Sequence, residues 1–262
     1  MSSRLTRSRW AISDGLVVMG RNLRHFRRQP QLVLFSTIQP IMFVLLFAFV
    51  FGGAIESSLP GGVEYTSFLI PGILIQATAF RSTQTAIGLA EDLERGVVDR
   101  MRSMPVARSA VLVGRTFADL VRGLFVVLLM IIVGYAIGFR FEEGVLDAVL
   151  AIAVVLLFGY ALSWIFVFIA LTVKGVEAVT SFGFIALFPL VFASSVFVPV
   201  NSMPGWLEAF ANVSPVTLSA NAARGLSIGG DVGEPLFFFA LWSIALLAVF
   251  IPLSVWRYRR MS

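Results

Sequence analysis

A charged stretch between two apolar runs holds the residues whose types and spacing could do the most chemistry. Its charged and turn-forming residues are Glu91, Asp92, Glu94, Arg95, Gly96, Asp99, Arg100, Arg102 and Pro105. Such side chains form ion pairs and charge-assisted hydrogen bonds with a soluble partner. Leu93, Val97, Met101 and Met104 recur at helical spacing, which predicts one amphipathic helix over residues 91–105. We expect Gly96 to allow close approach and Pro105 to end the helix; a solvated loop is the alternative interpretation.

A second polar group interrupts an otherwise apolar run. Arg81 stands there with Gln76 and Gln84 on either side. A charge at the centre of a membrane helix costs roughly 2.5–3.5 kcal/mol on insertion scales, so such residues often mark a function. We therefore predict that Gln76, Arg81 and Gln84 line a substrate path or a subunit interface. The alternative is an arginine that snorkels towards the cytoplasm or is paired within a helix bundle.

A third group opens the next apolar run. Arg115, Asp119 and Arg122 are spaced i, i+4 and i+7, which places them on one face of a helix. We expect a local ion ladder here and no binding site, because exposed ion pairs on helices contribute little free energy.

Several kinds of chemistry are absent from the sequence. There is no cysteine, and His25 is the only histidine, so neither thiolate nor multi-histidine metal sites are expected. The only lysine, Lys174, lies in the sequence TVKGV, which is not a Walker A loop, and no Gly-x-Ser-x-Gly elbow occurs. We therefore expect no enzyme activity, no metal and no bound cofactor in this chain. Energy from ATP would have to come from another polypeptide.

The composition is that of a multi-pass membrane protein. Of 262 residues, 58% are hydrophobic and 13% are charged, and the mean hydropathy is +0.91. Soluble domains carry nearly twice that charged fraction. The length allows about six helical spans with short loops but no additional catalytic domain. We predict one all-α domain over residues 1–262, and we expect no nucleic-acid partner because little soluble surface is left for the net charge of +5 to act on.

The apolar runs and the loop charges predict the topology. The predicted spans are residues 31–55, 65–90, 115–138, 148–173, 178–200 and 235–256. With six spans, sixteen of the twenty basic residues fall on one side, whereas the opposite loops hold eight acids and two arginines. The positive-inside rule then places both termini in the cytoplasm, and an odd number of spans would break this pattern.

Two further regions are neither span nor simple loop. Residues 10–28 place apolar side chains at helical spacing among arginines, which predicts a helix lying in the cytoplasmic membrane interface. Residues 201–230, on the predicted outer side, are moderately apolar and contain prolines and glycines. They are a candidate re-entrant segment, which is permitted only if protein buries its backbone.

Three segments resemble one known family. Residues 94–106, followed by Gly114 and Arg115, resemble the acid-basic-Gly…Ser-x-Pro segment of ABC-2 type permeases. Residues 68–73 (FLIPGI) resemble that family's opening of span two, and residues 203–207 (MPGWL) resemble its outer region. The resemblance covers nearly the whole chain and is greatest to the daunorubicin/doxorubicin-resistance type of permease.

The resemblance implies a fold, partners and a function. It implies six spans, an interfacial N-terminal helix and a cytoplasmic coupling helix at about residues 91–105, in a bacterial plasma membrane. It also implies a second permease copy, as homodimer or heterodimer, and two copies of a separate ATP-binding subunit that holds ATP and Mg²⁺. Amphipathic drugs, lipids or related compounds would move outward through a core that contacts membrane lipid. A proton-coupled transporter and a non-transporting scaffold remain the alternatives.

Overall fold

The computed structural model describes residues 30–56, 59, 63–97 and 108–260, and these residues contain helices and no strand. In chain order the helices are α1 (Pro30–Leu45, continued by the π-helical Leu46–Phe51 and by Gly52–Glu56), α2 (Tyr65–Glu94), α3 (Arg108–Ala136), α4 (Val145–Thr172), α5 (Val176–Phe192), α6 (Gly205–Val213), α7 (Pro215–Ile228) and α8 (Gly233–Arg260). A 3₁₀ turn, Val200–Ser202, precedes α6. The all-α prediction is confirmed. The predicted interfacial helix over residues 10–28 lies outside the described residues.

Within the described residues, four helical segments are long and apolar enough to cross a membrane. They are Ile38–Glu56, Gly114–Ala136, Val145–Thr172 and Gly233–Arg260. The apolar helix α5 is shorter, at 17 residues. Helix α2 has 30 residues, about 45 Å at 1.5 Å per residue, but it contains many polar side chains. Helices therefore occupy all six predicted spans, and the count of six crossings stays a prediction.

Long-range hydrogen bonds indicate which loops share an end of the bundle. Glu94 Oε1 accepts a hydrogen bond from Val176 N–H at 3.1 Å, and Arg257 Nε donates to Leu171 O at 3.2 Å. The end of α2, the α4–α5 turn and the basic end of α8 therefore lie together, as the charge pattern predicts. At the other end, Glu142 N–H donates to Ser227 O at 2.9 Å.

Helix α2 lies at the centre of the packing. Most of its residues are buried, and its most extensive contact is with α4, followed by contacts with α5 and α7. Its hydroxyl side chains donate to carbonyls one turn earlier: Thr78 Oγ1 to Leu74 O at 2.7 Å, and Thr83 Oγ1 to Phe80 O at 2.7 Å. Because these donors are satisfied within the helix, α2 tolerates polar residues in an apolar bundle.

The predicted fifth span, residues 178–200, is wrong at its C-terminal end. Helix α5 ends at Phe192, and residues 194–197 form a buried turn. Pro189 removes one backbone donor from the last turn of the helix. Ser195 N–H then bonds to Thr217 Oγ1 at 3.1 Å, and Ser195 Oγ donates to Asn221 Oδ1 at 2.8 Å. Polar side chains of α7 thus replace the helical hydrogen bonds that α5 gives up.

Helix α7 is fastened into the bundle by one buried arginine. Arg224 donates from Nε to Phe68 O at 3.0 Å, from Nη2 to Ser195 O at 2.9 Å and from Nη1 to Asn221 Oδ1 at 2.7 Å. Its guanidinium also lies 3.6 Å from the centre of the Phe68 ring. The α7 part of the candidate re-entrant region is thus packed against protein, as a re-entrant segment requires, whereas residues 201–213 are mostly exposed. Its depth in a membrane stays a prediction.

We expect Arg224→Met to destabilise the protein strongly. The substitution removes the buried donor to Phe68 O, Ser195 O and Asn221 Oδ1, and breaking such a buried charged network costs roughly 3–5 kcal/mol. For a chain of this size that cost corresponds to a fall on the order of 10 °C in apparent Tm. Thermal unfolding of the purified protein in detergent measures it. Arg259→Met, at an exposed arginine, is the matched control; equal Tm values for the two variants would contradict the assignment.

Candidate functional site

The charged stretch begins on the last turn of α2. Helix α2 runs through Glu94, where Arg95 N–H bonds to Glu91 O at 3.0 Å and Gly96 N–H to Leu93 O at 3.1 Å. Gly96 has a φ of +65°, a conformation that ends a helix and favours glycine. The prediction of one continuous helix over residues 91–105 is therefore wrong at its start. Among the described residues nothing lies within 4 Å of a Cβ added at Gly96, so its backbone conformation, and not a close approach to any of them, explains the glycine.

Asp92 turns inward and pairs with α3. Its Oδ2 lies 2.5 Å from Arg115 Nη1, and both side chains are mostly shielded from solvent. Arg115 was predicted to pair with Asp119 in an ion ladder. Only the second half of that ladder forms, between Asp119 Oδ1 and Arg122 Nη1 at 3.5 Å. The reason is that α2 brings a carboxylate closer to Arg115 than the ladder does, so the ion pair joins two helices.

Glu94 also makes a contact within the chain, with α5, although it is an exposed residue. Its carboxylate accepts the Val176 N–H, one of the first amides of α5, which have no partner within the helix. A negative charge at a helix N-terminus is also favoured by the helix dipole. Gly175, with a φ of +94°, makes the turn that presents this amide. The end of α2 is thereby joined to α5 as well as to α3.

Glu91 and Arg95 remain on the surface. Their ion pair spans 3.4 Å, and the side chains are 43% and 72% exposed. An exposed pair of this kind contributes little to stability, so the two groups are available to another molecule. Within the described part of the charged stretch, Asp92 and Glu94 thus bond to other helices, and Glu91 and Arg95 pair with each other at the surface, where Glu94 is also exposed. Asp99, Arg100, Arg102 and Pro105 lie outside the described residues.

Arg81 extends from α2 into a slot between α3 and α4. Its Nη1 donates to Asp119 O at 3.1 Å. A Cβ at Gly123 of α3 or at Gly159 of α4 would lie against the guanidinium, so both glycines create the space that it fills. The adjoining cavity of about 10 Å³ has room for about one water molecule. This arrangement favours the alternative interpretation of Arg81, an arginine paired within the bundle.

The structure does not bring Gln76, Arg81 and Gln84 onto one surface. Gln76 is 2% exposed, and its Oε1 has no hydrogen-bond partner among the described residues. Gln84 is exposed, and Arg81 is intermediate. The role of these three residues in a substrate path stays a prediction.

Sequence reasoning missed the internal role of Arg224 and of the two glycines beside Arg81. Arg224 was counted as an outer basic residue, although it follows the small residues Ser219 to Ala223. Small residues permit close helix packing, and a lone arginine in such a helix is a signal of a buried hydrogen-bonding role. The glycine slot has no such signal, because it depends on which helices become neighbours.

Comparison with known proteins gives consistent matches over most of the chain. A family model described as ABC-2 type transporter matches residues 15–227. The daunorubicin resistance ABC transporter permease protein DrrB1 of Streptomyces coeruleorubidus is 34% identical over 253 residues, covering 95% of this chain and 87% of that protein. A probable doxorubicin resistance ABC transporter permease protein, DrrC of Mycobacterium tuberculosis, is 29% identical over 97% of this chain and 91% of its own length. A putative transport permease, ycf38 of Cyanophora paradoxa, is 23% identical over 82% and 74%.

We expect Gly123→Ala to destabilise the protein, and Arg81→Ala to abolish that effect. The added methyl group would overlap the Arg81 guanidinium, whereas Gly to Ala in an open helix position is normally favourable by about 0.5–1 kcal/mol. Gly53→Ala is the control, because no other residue in the described part of the chain lies within 4 Å of its Cβ. Apparent Tm values of the single and double variants measure the coupling between positions 81 and 123. Additive effects of the two substitutions on Tm would contradict the close contact between Arg81 and Gly123.

Proposed function

This chain belongs to the ABC-2 type transporter family, and we propose that it is the permease of an ATP-driven exporter that moves amphipathic drugs, lipids or related hydrophobic compounds outward. The family match across residues 15–227 carries this proposal. The chain is a multi-pass membrane protein that works with an ATP-binding subunit. The resistance permeases among its relatives favour drug-like cargo over other solutes.

The proposed assembly has two permease chains and two ATP-binding subunits. ATP and Mg²⁺ would be held by the ATP-binding subunits, since the surroundings of Lys174 do not match a Walker A loop. Both termini would be cytoplasmic, in a bacterial plasma membrane, because the basic end of α8 lies beside the α4–α5 turn and the end of α2. The second permease copy would be identical or closely related.

The end of α2 is the proposed point of coupling. Glu91 and Arg95 are exposed charges of opposite sign, suited to ion pairs with the ATP-binding subunit. Asp99, Arg100 and Arg102 are proposed to extend this contact. From their charges alone, Asp92 and Glu94 are predicted to bind the ATP-binding subunit. We propose instead that they connect the docking surface to α3 and α5 inside the permease.

These contacts give a physical path by which movement of the ATP-binding subunit would reach the helices of the permease. A displacement of the end of α2 is resisted by the Asp92–Arg115 ion pair and by the Glu94–Val176 hydrogen bond, so α3 and α5 are displaced with it. Helix α2 also packs along much of α4. Force applied at residues 91–95 would therefore rearrange four helices together, and the outer ends would follow through the rigid helices.

The double variant Glu91→Lys/Arg95→Glu is expected to weaken binding of the ATP-binding subunit. The exposed pair keeps opposite charges within the chain, so folding is preserved, while the two charges that positions 91 and 95 present to the partner are reversed. Co-purification and ATP turnover of the complex measure the effect, and we expect both to fall at least tenfold. Glu234→Lys, at an exposed position near the start of α8, is the control.

The same preparations test the proposed function itself. Wild-type permease and its ATP-binding subunit, reconstituted in vesicles, should export a fluorescent amphipathic compound only with ATP. Export by the permease alone would contradict the proposal. Full recruitment by the Glu91→Lys/Arg95→Glu variant would instead contradict the docking residues and leave the exporter assignment intact.

For the internal connection, we expect Asp92→Arg and Arg115→Asp each to reduce transport, and the double variant to restore much of it. Each single variant leaves two like charges side by side, and the exchange recovers an ion pair. ATP-driven export is the readout, with recruitment of the ATP-binding subunit measured in parallel. Recruitment should stay near wild type in all three variants. A double variant as impaired as the worse single variant would count against this connection.

A further inference from the structure

A cleft of about 390 Å³ lies at the end of the bundle opposite to the Asp92–Arg115 pair. It is formed where the start of α2, the α3–α4 loop and the end of α7 meet. Its lining includes Val63, Glu64, Ser67, Arg140, Glu142 and Ile228. The cleft therefore combines three charged groups, one hydroxyl and two apolar side chains around a volume that suits a small organic molecule.

The guanidinium group that lines this cleft is hydrogen-bonded within the chain. Arg140 Nη1 donates to Tyr135 O at 2.6 Å and to Phe139 O at 2.7 Å, and its guanidinium lies 4.8 Å from the centre of the Tyr135 ring. These carbonyls are at the C-terminal end of α3, where a cation satisfies unpaired acceptors. Arg140 thus has a structural role that directs its charge at α3.

The two carboxylates have no such engagement. Glu64 is the N-cap residue of α2, yet its side chain makes no capping hydrogen bond; its backbone carbonyl accepts Ser67 N–H at 3.0 Å instead. Glu142 is held in place through its backbone N–H, which donates to Ser227 O at 2.9 Å. Within the described residues neither carboxylate forms an ion pair, so both acceptors face the cleft unneutralised.

A buried hydroxyl provides the second observation. Ser67 is only 6% exposed and lines the cleft, and its hydroxyl makes no side-chain hydrogen bond to the described residues but is open to the cleft and not fully enclosed. A buried polar side chain is normally hydrogen-bonded, and one that is not suggests a missing partner. The partner that would suit this hydroxyl together with two carboxylates is a group with several N–H donors and a positive charge.

We propose that this cleft binds the protonated amino group of a small organic cation, with Glu64 and Glu142 as its counter-charges. Ser67 Oγ would accept a third N–H hydrogen bond, and Val63 and Ile228 would contact the apolar carbon skeleton. A metal ion is a poor alternative, because no group of three or more potential metal ligands occurs among the described residues. An anion would be repelled by the two carboxylates, and the one arginine of the cleft is already hydrogen-bonded within the chain.

The charges around the cleft also favour the binding of a cation. The loops on this side carry eight acids and two arginines, and both arginines, Arg140 and Arg224, are bonded within the chain. The resulting negative field attracts cations and repels anions. If the chain exports amphipathic compounds, which is the proposed function, this cleft is a site on the exit route that favours amines. The binding itself does not depend on that function.

The test uses phenethylammonium and its uncharged counterpart 2-phenylethanol, which share a carbon skeleton that fits the cleft. Binding to the purified full-length chain is followed by saturation-transfer NMR at pH 7. We expect the amine to bind about tenfold more tightly than the alcohol, as for two charge-assisted contacts near a surface. Glu64→Gln/Glu142→Gln should remove that preference, Ser67→Ala should reduce it several-fold, and Glu234→Gln should leave it unchanged.

Two results would overturn the proposal: equal binding of the two probes by the wild-type chain, or an unchanged preference in the Glu64→Gln/Glu142→Gln variant. Both glutamates are exposed, so this variant is expected to fold normally. Failure of the exporter assignment has a different signature, because amine binding would then persist while ATP-dependent export is absent.

Discussion

The fold depends on how helix α2 satisfies its polar groups in surroundings that contain little water. Hydrocarbon offers no hydrogen-bond partners, so a helix this polar is stable only where neighbouring helices supply them. Several hydroxyl groups of α2 bond within the helix, and three arginines, one of which belongs to α2 itself, connect α2 to its neighbours at three heights. Arg224 binds the carbonyl of Phe68 near one end, Arg81 fills a slot between α3 and α4 in the middle, and Arg115 pairs with Asp92 at the other end. Each contact joins α2 to a different part of the bundle.

This arrangement explains why the charged end of α2 is suited to receive force. A loop that touched the bundle only through apolar contacts would slide when pushed. Here Asp92 and Glu94 make directional bonds to α3 and to the first turn of α5, while Glu91 and Arg95 stay exposed. The buried turn after α5 is in turn bonded to α7, so helices and hydrogen bonds connect the end of α2 to the opposite end of the bundle.

Composition and loop charges were sufficient to predict an all-α membrane protein and to assign loops to ends, because hydrophobicity and charge act on each segment independently. They could not predict what depends on neighbouring helices. Arg115 pairs with Asp92 and not with Asp119. Helix α5 ends at Phe192, and α7 supplies hydrogen bonds to the turn that follows. Arg81 lies beside two glycines from distant segments. The helix phase at the end of α2 likewise decides that Asp92 and Glu94 bond to α3 and α5, whereas Glu91 pairs with Arg95.

The central claim is that a soluble ATP-binding subunit docks at the end of α2. The chain has no cysteine, so a photoactivatable cross-linker can be attached at one chosen position without background. In the reconstituted complex, Arg95→Cys carrying the cross-linker is predicted to label the ATP-binding subunit, and Glu234→Cys at the opposite end is predicted not to. Labelling from position 234 with none from position 95 would contradict the account.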